Sequence, residues 1–167
     1  LRVLNVHKRI LPLPKQEVAA LLKTLSTTDD RIWPYEKWPA MKFKEGLKVG
    51  SKGGHGPIRY TVEKYDPDEM IQFRFSRPQG FHGSHTFELK ALGGEATEIK
   101  HTIAMRTIGK ATWLWILGIR SLHNALIEDS FDKLENQCSE QTKRTPWNFW
   151  VRFLRRKLAK RSETVAD

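Results

Sequence analysis

A chain of 167 residues, 39% hydrophobic and 10% aromatic, can bury one sizeable core, has little left for a second, and is too apolar to be a disordered segment. Its lone cysteine, Cys138, excludes an internal disulfide, and without cysteine pairs or close histidine clusters no metal site or cofactor is expected. The net charge of +10 is uneven: residues 142–167 hold eight bases against two acids, which leaves 21 bases and 17 acids, a net of +4, in residues 1–141.

In chain order, Arg2 to Leu11 alternates loosely and stops at Pro12 and Pro14, as a strand running into a turn does. Lys15 to Leu25 places Val18, Leu21, Leu22 and Leu25 at helical spacing, and Ser26 to Asp30, rich in capping residues, is expected to open a second short helix. The segment Trp33 to Pro39 is irregular by its prolines yet aromatic, the composition of a loop that folds back to cover something. Met41 to Val49 reads as a strand. Gly50 to Pro57 reads as the turn after it, a glycine-rich hairpin or a lid over a pocket mouth. A phosphate cradle is rejected there, because no Gly-Lys-Ser/Thr element is present and a strand, not a helix, follows.

The next strands can be phased by alternation. Ile58, Tyr60 and Val62 share one face, then Ile71, Phe73 and Phe75, then His85, Phe87 and Leu89, and finally Ile99, His101, Ile103 and Met105. After Gly109 one long amphipathic helix is predicted over Lys110 to Gln141, with His123 near the centre of its apolar stripe. Ile116, Ile119, Ile127, Ser130 and Leu134 fall within about 40° of that histidine at 100° per residue. The outer face carries Asn124, Glu128, Asp129, Asp132 and Glu135, with Lys133 among them, and Cys138 reads as an ordinary thiol in the last turns. The longest apolar run, Trp113 to Ile119, is far too short to cross a bilayer. No secretory signal is legible, so a cytoplasmic protein is expected, peripheral to a membrane at most, and the opening at Leu1 without a methionine is what a missing or trimmed start would leave.

The segments Gly53 to Tyr60, Phe81 to Leu89 and Leu122 to Asp129, in this order of elements, resemble the START-like or SRPBCC superfamily, which includes polyketide cyclase/dehydrase-like proteins. The resemblance spans roughly residues 2–141. It implies an α+β helix-grip fold: a curved antiparallel sheet wrapped around a long C-terminal helix, with two short helices after the first strand. It also implies a cavity between sheet and helix that holds lipids, sterols, polyketides or aromatic compounds, or in some members cyclises or dehydrates them. It carries no universal catalytic signature, so carrier and enzyme both stay open.

Within that frame His85, His101 and His123 lie on inward faces of two strands and the helix, with His85 and His101 as candidate cross-strand neighbours. Imidazoles gathered there can orient or protonate a ligand carbonyl, or each can be a core histidine bonded to a neighbour. Tyr60, Trp33, Trp38, Phe73 and Ile127 complete the expected lining, with ordinary core packing the alternative for Tyr60, Trp33 and Trp38; Arg59 and Arg74 are predicted outward, where an arginine at a curved sheet's rim can reach an anion. No nucleophile elbow is present, which disfavours hydrolase chemistry.

Two units follow: a ligand-binding domain over residues 1–141 and a basic amphipathic tail over residues 142–167. From Pro146, the residues Trp147, Trp150, Val151, Leu154 and Leu158 make a helical stripe widened by Phe149 and Phe153, with Arg152, Arg155, Arg156, Lys157 and Lys160 over much of the rest. Residues 145–160 suit packing on the domain's own exterior, self-association or an anionic membrane surface. They give weak grounds for nucleic acid. The expected partner of the domain is an apolar or amphipathic small molecule. The alternatives are a cyclase or dehydratase using inward His and Tyr as acid and base, and an interaction protein acting through its tail.

Overall fold

The computed structural model describes residues 1–163, with side chains described to residue 159. Lys160 and the charges beyond it, counted in the tail above, lie outside the described side chains. Seven strands form one antiparallel sheet: β1 (Arg2–Leu11), β2 (Lys42–Phe43), β3 (Lys52–His55), β4 (Ile58–Asp66), β5 (Met70–Arg77), β6 (Phe81–Ala91) and β7 (Thr97–Thr107). Their order across the sheet is β1-β7-β6-β5-β4-β3-β2. The alternation that phases the strands puts Tyr60, Val62, Ile71, Phe73, Phe87, Ile99 and Ile103 on the buried face.

Helix α1 (Lys15–Leu22) follows β1, with Pro14 at its N-cap and Glu17 in its first turn, and buries Val18, Ala19 and Leu22. Where the second short helix is expected, the chain turns instead. Ser26 takes a left-handed φ of 65°, and the Asp30 carboxylate accepts the backbone N–H groups of Ser26, Ile32 and Trp33, so local side-chain bonding outcompetes the helical ladder. The strand expected over Met41 to Val49 is confined to β2, whereas the expected glycine turn contains β3. There Gly53 is required: a Cβ on it would lie 2.3 Å from the Lys42 carbonyl oxygen and 2.5 Å from the Phe43 ring.

The long helix is built in three parts: α2 (Lys110–Leu114), a π-helical segment (Trp115–Ile119) and α3 (Arg120–Glu135). It ends at Glu135, and Cys138 lies in the turn beyond. The wider π turn shifts the phase of what precedes it relative to α3. Ile116, expected on the stripe with His123, is therefore 45% exposed, while Trp115 is buried. Helix α4 (Phe149–Glu163) lies against α3 with Val151 buried.

Buried apolar residues form two clusters. The larger joins Phe73, Phe87, Ile99, Ile127 and Phe131 to α1 and the Trp33–Trp38 loop. The smaller gathers Phe81, Ile103, Met105, Ala111 and Trp115.

Candidate functional site

The inward histidines meet at the boundary of these clusters. His101 pairs across the sheet with His7 on one side and Phe87 on the other, and His85 pairs with Ile103, so His85 and His101 are diagonal neighbours rather than directly opposed. The diagonal still brings His85 Nδ1 to 3.3 Å from His101 Nε2. His123 descends from α3 with its ring centroid 5.0 Å from that of His101 and 6.3 Å from Trp115. Phe73 stacks on His85 at 4.8 Å and Tyr60 meets it edge-on at 4.7 Å.

Two histidines that sequence reasoning did not pick extend the row. Tyr60 Oη lies 3.0 Å from His55 Nδ1, and the His55 ring lies 4.7 Å from Trp33. At the other end His7, on β1, has its ring centroid 5.9 Å from His123. Its Nδ1–H donates to Glu128 (2.7 Å), and its Nε2 lies 3.2 Å from Asn124 Oδ1. His55 had one legible signal, its alternation with Gly53 at the edge of the glycine stretch. His7 was masked because β1 inverts the usual pattern: Asn5, His7 and Arg9 face the helix, while Leu4, Val6 and Ile10 face outward.

Burial sets the protonation of this row. Desolvation pushes His55 down to about 4, helped by the Arg59 charge, and His123 down to about 3, helped by His7 and His55. Desolvation and the neighbouring imidazoles also hold His85 and His101 well below the usual histidine range, and burial raises Tyr60 well above that of a free phenol. All four imidazoles are therefore neutral near pH 7, each with one N–H and one lone pair. Whichever ring donates in the His85–His101 bond, the pair leaves one free donor and one free acceptor at its ends. Those ends, His85 Nε2 and His101 Nδ1, are buried without a partner, and so is His123 Nδ1.

Side chains close around the middle of the cavity expected between sheet and helix, where Tyr60, Phe73, His85 and His101 are each no more than 5% exposed, while Phe75, Ile119 and His123 beside them keep partial exposure. The two cavities described lie elsewhere. One, of about 270 Å³, is bordered by Lys37, Asp129 and Trp147; the other, of about 570 Å³, is an open groove between α2, the π segment and α4.

Of the remaining expected lining, Trp33 and Ile127 are buried in the larger cluster, and the Trp33 indole donates to the Pro39 carbonyl. Trp38 is engaged elsewhere, donating to Asp129 and packing on Trp147. Asp129, expected on the outer face, is 2% exposed and accepts from Lys37 (2.6 Å), Trp38 (2.8 Å) and Trp147 (2.8 Å). Asp132 is buried likewise, between Arg9 and Thr145. Arg74 is ion-paired to Glu63 and Arg59 donates to the backbone of its own hairpin, so both are occupied outside the seam. Among the described residues no group of His, Cys, Asp or Glu is arranged to hold a metal ion, and no helix is long and apolar enough to cross a membrane.

No family model matches the sequence. Solved structures do match the fold. A protein from Thermobifida fusca superposes with a TM-score of 0.64 at 11% identity, covering 86% of this chain and 99% of that one. A protein from Nitrosospira multiformis gives 0.64 at 13%, covering 85% and 100%. Norcoclaurine synthase from Thalictrum flavum, solved in complex with dopamine and hydroxybenzaldehyde, gives 0.62 at 11%, covering 84% and 90%. At these identities the likeness concerns architecture alone. The chain has the helix-grip fold, an antiparallel sheet closed by a long C-terminal helix.

Proposed function

We propose that this chain binds a small apolar or amphipathic molecule at the histidine seam between sheet and helix. The observation that carries this reading is the trio of buried, unpartnered ring nitrogens on His85, His101 and His123. Each such group costs about 1–3 kcal/mol of stability. A guest hydroxyl or carboxylic acid can satisfy whichever of these free ends it reaches, donating to a lone pair or accepting from an N–H. Its apolar part would lie where the two clusters part, against Phe73, Phe87 and Trp115, with Tyr60, Trp33 and Ile127 behind. Trp38, held in the Asp129 cluster, is left out of this site. Room for the guest comes from movement of the roof. The π segment before His123, with Gly118 inside it, is the part with the least regular helical bonding, and such segments recur at binding sites. The small-molecule complex of norcoclaurine synthase agrees with this use of the fold.

The cyclase or dehydratase alternative needs an acid or base whose pKa lies near the working pH. With His55 near 4, His123 near 3 and the other two lowered, the seam holds weak bases, and binding outranks catalysis. Native mass spectrometry and organic extraction of the purified chain, followed by thermal shift against fatty acids, sterols and phenols at pH 7, test the reading. A true ligand at about a hundred times its Kd should add about 2.7 kcal/mol, a rise of several degrees. No retained compound and no stabilisation across the panel would overturn it.

A further inference from the structure

Two stretches of sequence free of carboxylates, residues 99–127 and 141–162, each contribute side chains to one groove, from Lys110 to Gly118 in the first and from Trp150 and Leu154 in the second. The Trp150 indole donates to the Leu117 carbonyl at 3.0 Å, and the groove between them is walled by Trp113, Leu114 and Leu117 on one side and Trp150 and Leu154 on the other. Trp113 is 65% and Leu117 58% exposed, and Phe153 stacks on Trp150 while itself facing solvent. Helix α4 therefore packs inward through Val151 and through Arg155, which lies over the Trp38 ring of the loop at 4.4 Å, and leaves large aromatic side chains outside. This division of α4 differs from the sequence stripe, in which Trp150 shares the packed side. Bases border the apolar face: Lys110 lines the groove, and Lys157 sits 5.7 Å over the Phe153 ring.

We propose that this face docks on the surface of an anionic lipid bilayer. Exposed Trp and Leu side chains suit the boundary between headgroups and acyl chains, and the bordering ammonium groups suit acidic headgroups. Charge separates a bilayer from a second copy of the chain. A two-fold contact would bring two like-charged copies of this patch together, with Lys110 and Lys157 on each and no carboxylate lining the groove to neutralise them. The docking is independent of the ligand seam, and neither test decides the other.

Co-sedimentation of the full chain with phosphatidylcholine vesicles, with and without roughly one third phosphatidylserine, is the test. Pelleting is expected with the anionic vesicles alone, weakened about tenfold or more by raising salt to three times the physiological level. Trp113→Ser with Leu117→Ser, and separately Lys110→Glu with Lys157→Glu, should each weaken it about tenfold while leaving the melting temperature within a few degrees. Should the apolar pair disturb folding, the charge pair decides. The proposal is overturned by equal pelleting with neutral vesicles or by none. It is also overturned by a solution dimer that Trp113→Ser with Leu117→Ser dissociates, which would make the face a contact between copies.

Discussion

Helix α3 carries two buried polar centres that are treated in opposite ways. At Asp129 both carboxylate oxygens are partnered, Oδ1 by an ammonium and Oδ2 by two indoles, drawn from the Trp33–Trp38 loop and the segment leading to α4. Six residues earlier, His123 opens a row of imidazoles in which three ring nitrogens have no partner. A partnered buried charge fastens the elements that supply its partners. An unsaturated neutral row fastens nothing well, and its hydrogen-bonding capacity remains for a guest. The contrast gives the Asp129 centre an architectural role and leaves the seam as the proposed binding site.

Acid should strike the seam hardest. Burial lowers His55 to about 4 and His123 to about 3, against an unfolded value near 6.5. Below pH 6.5 the unfolded chain takes up protons that the folded chain refuses. Stability is therefore full above that value and falls as the pH drops toward the folded values. Between pH 7 and 5 the loss is on the order of 2 kcal/mol for each of these two histidines, and His85 and His101 add in the same direction. A total above about 4 kcal/mol is a large part of a typical domain's stability. Urea unfolding at pH 7 and pH 5 measures it. Equal midpoints would mean that the imidazoles are not buried as neutral groups, and the contrast with Asp129 would lose its basis.

Removing the partnered centre comes next in size. Asp129→Ala leaves two indole N–H groups without their acceptor, at about 1–3 kcal/mol for each that stays buried, while the Lys37 ammonium, 37% exposed, can turn to water. The same denaturation experiment at pH 7 checks it. Trp147 should report the change in its fluorescence, since it links α3 to the chain leading into α4. A cost below about 1 kcal/mol would place the Asp129 centre among exposed ion pairs and remove its architectural role.

The sheet was readable from sequence because alternation is a strong signal where one face is buried. That signal put His85 and His101 inward, and helical periodicity did the same for His123. What periodicity missed has identifiable causes. His7 lies on a strand whose polar face turns inward to meet Asn124, Glu128 and Asp132, so hydrophobicity points the wrong way there. His55 sits in a glycine-rich stretch that reads as a turn, although it pairs as a strand. Asp129 and Asp132 look like a solvated face because their partners, Trp38, Trp147, Arg9 and Thr145, are distant in sequence. Ile116 was misplaced by the π turn, a break in phase that hydrophobic spacing does not announce. How far side chains close the interior was beyond reach, because periodicity fixes which faces meet and says nothing of how closely they approach.

The smallest expected effect separates the two centres most sharply. His85→Leu alone removes the hydrogen-bonding partner of His101 Nε2 and should cost about 1–3 kcal/mol, as an orphaned buried polar group does. His85→Leu with His101→Leu removes the bonded atoms together with the two unpartnered ends, and the apolar surroundings of Phe73 and Phe87 accept a leucine of similar volume. Replacing both members of a buried polar pair with apolar groups is nearly neutral. At pH 7 the double variant should therefore lie within about 1 kcal/mol of the parent, on the stable side if the free ends dominate. It should also lose less stability at pH 5, since two of the refusing imidazoles are gone. A double-mutant cycle in urea at both pH values reads these outcomes, and ligand-induced thermal shift on the same proteins reads function. If the double variant is stable and still responds to the ligand as the parent does, the pair is not where the guest binds. If instead it loses several kcal/mol at pH 7, the histidines are structural in the way Asp129 is, and the seam joins the architecture.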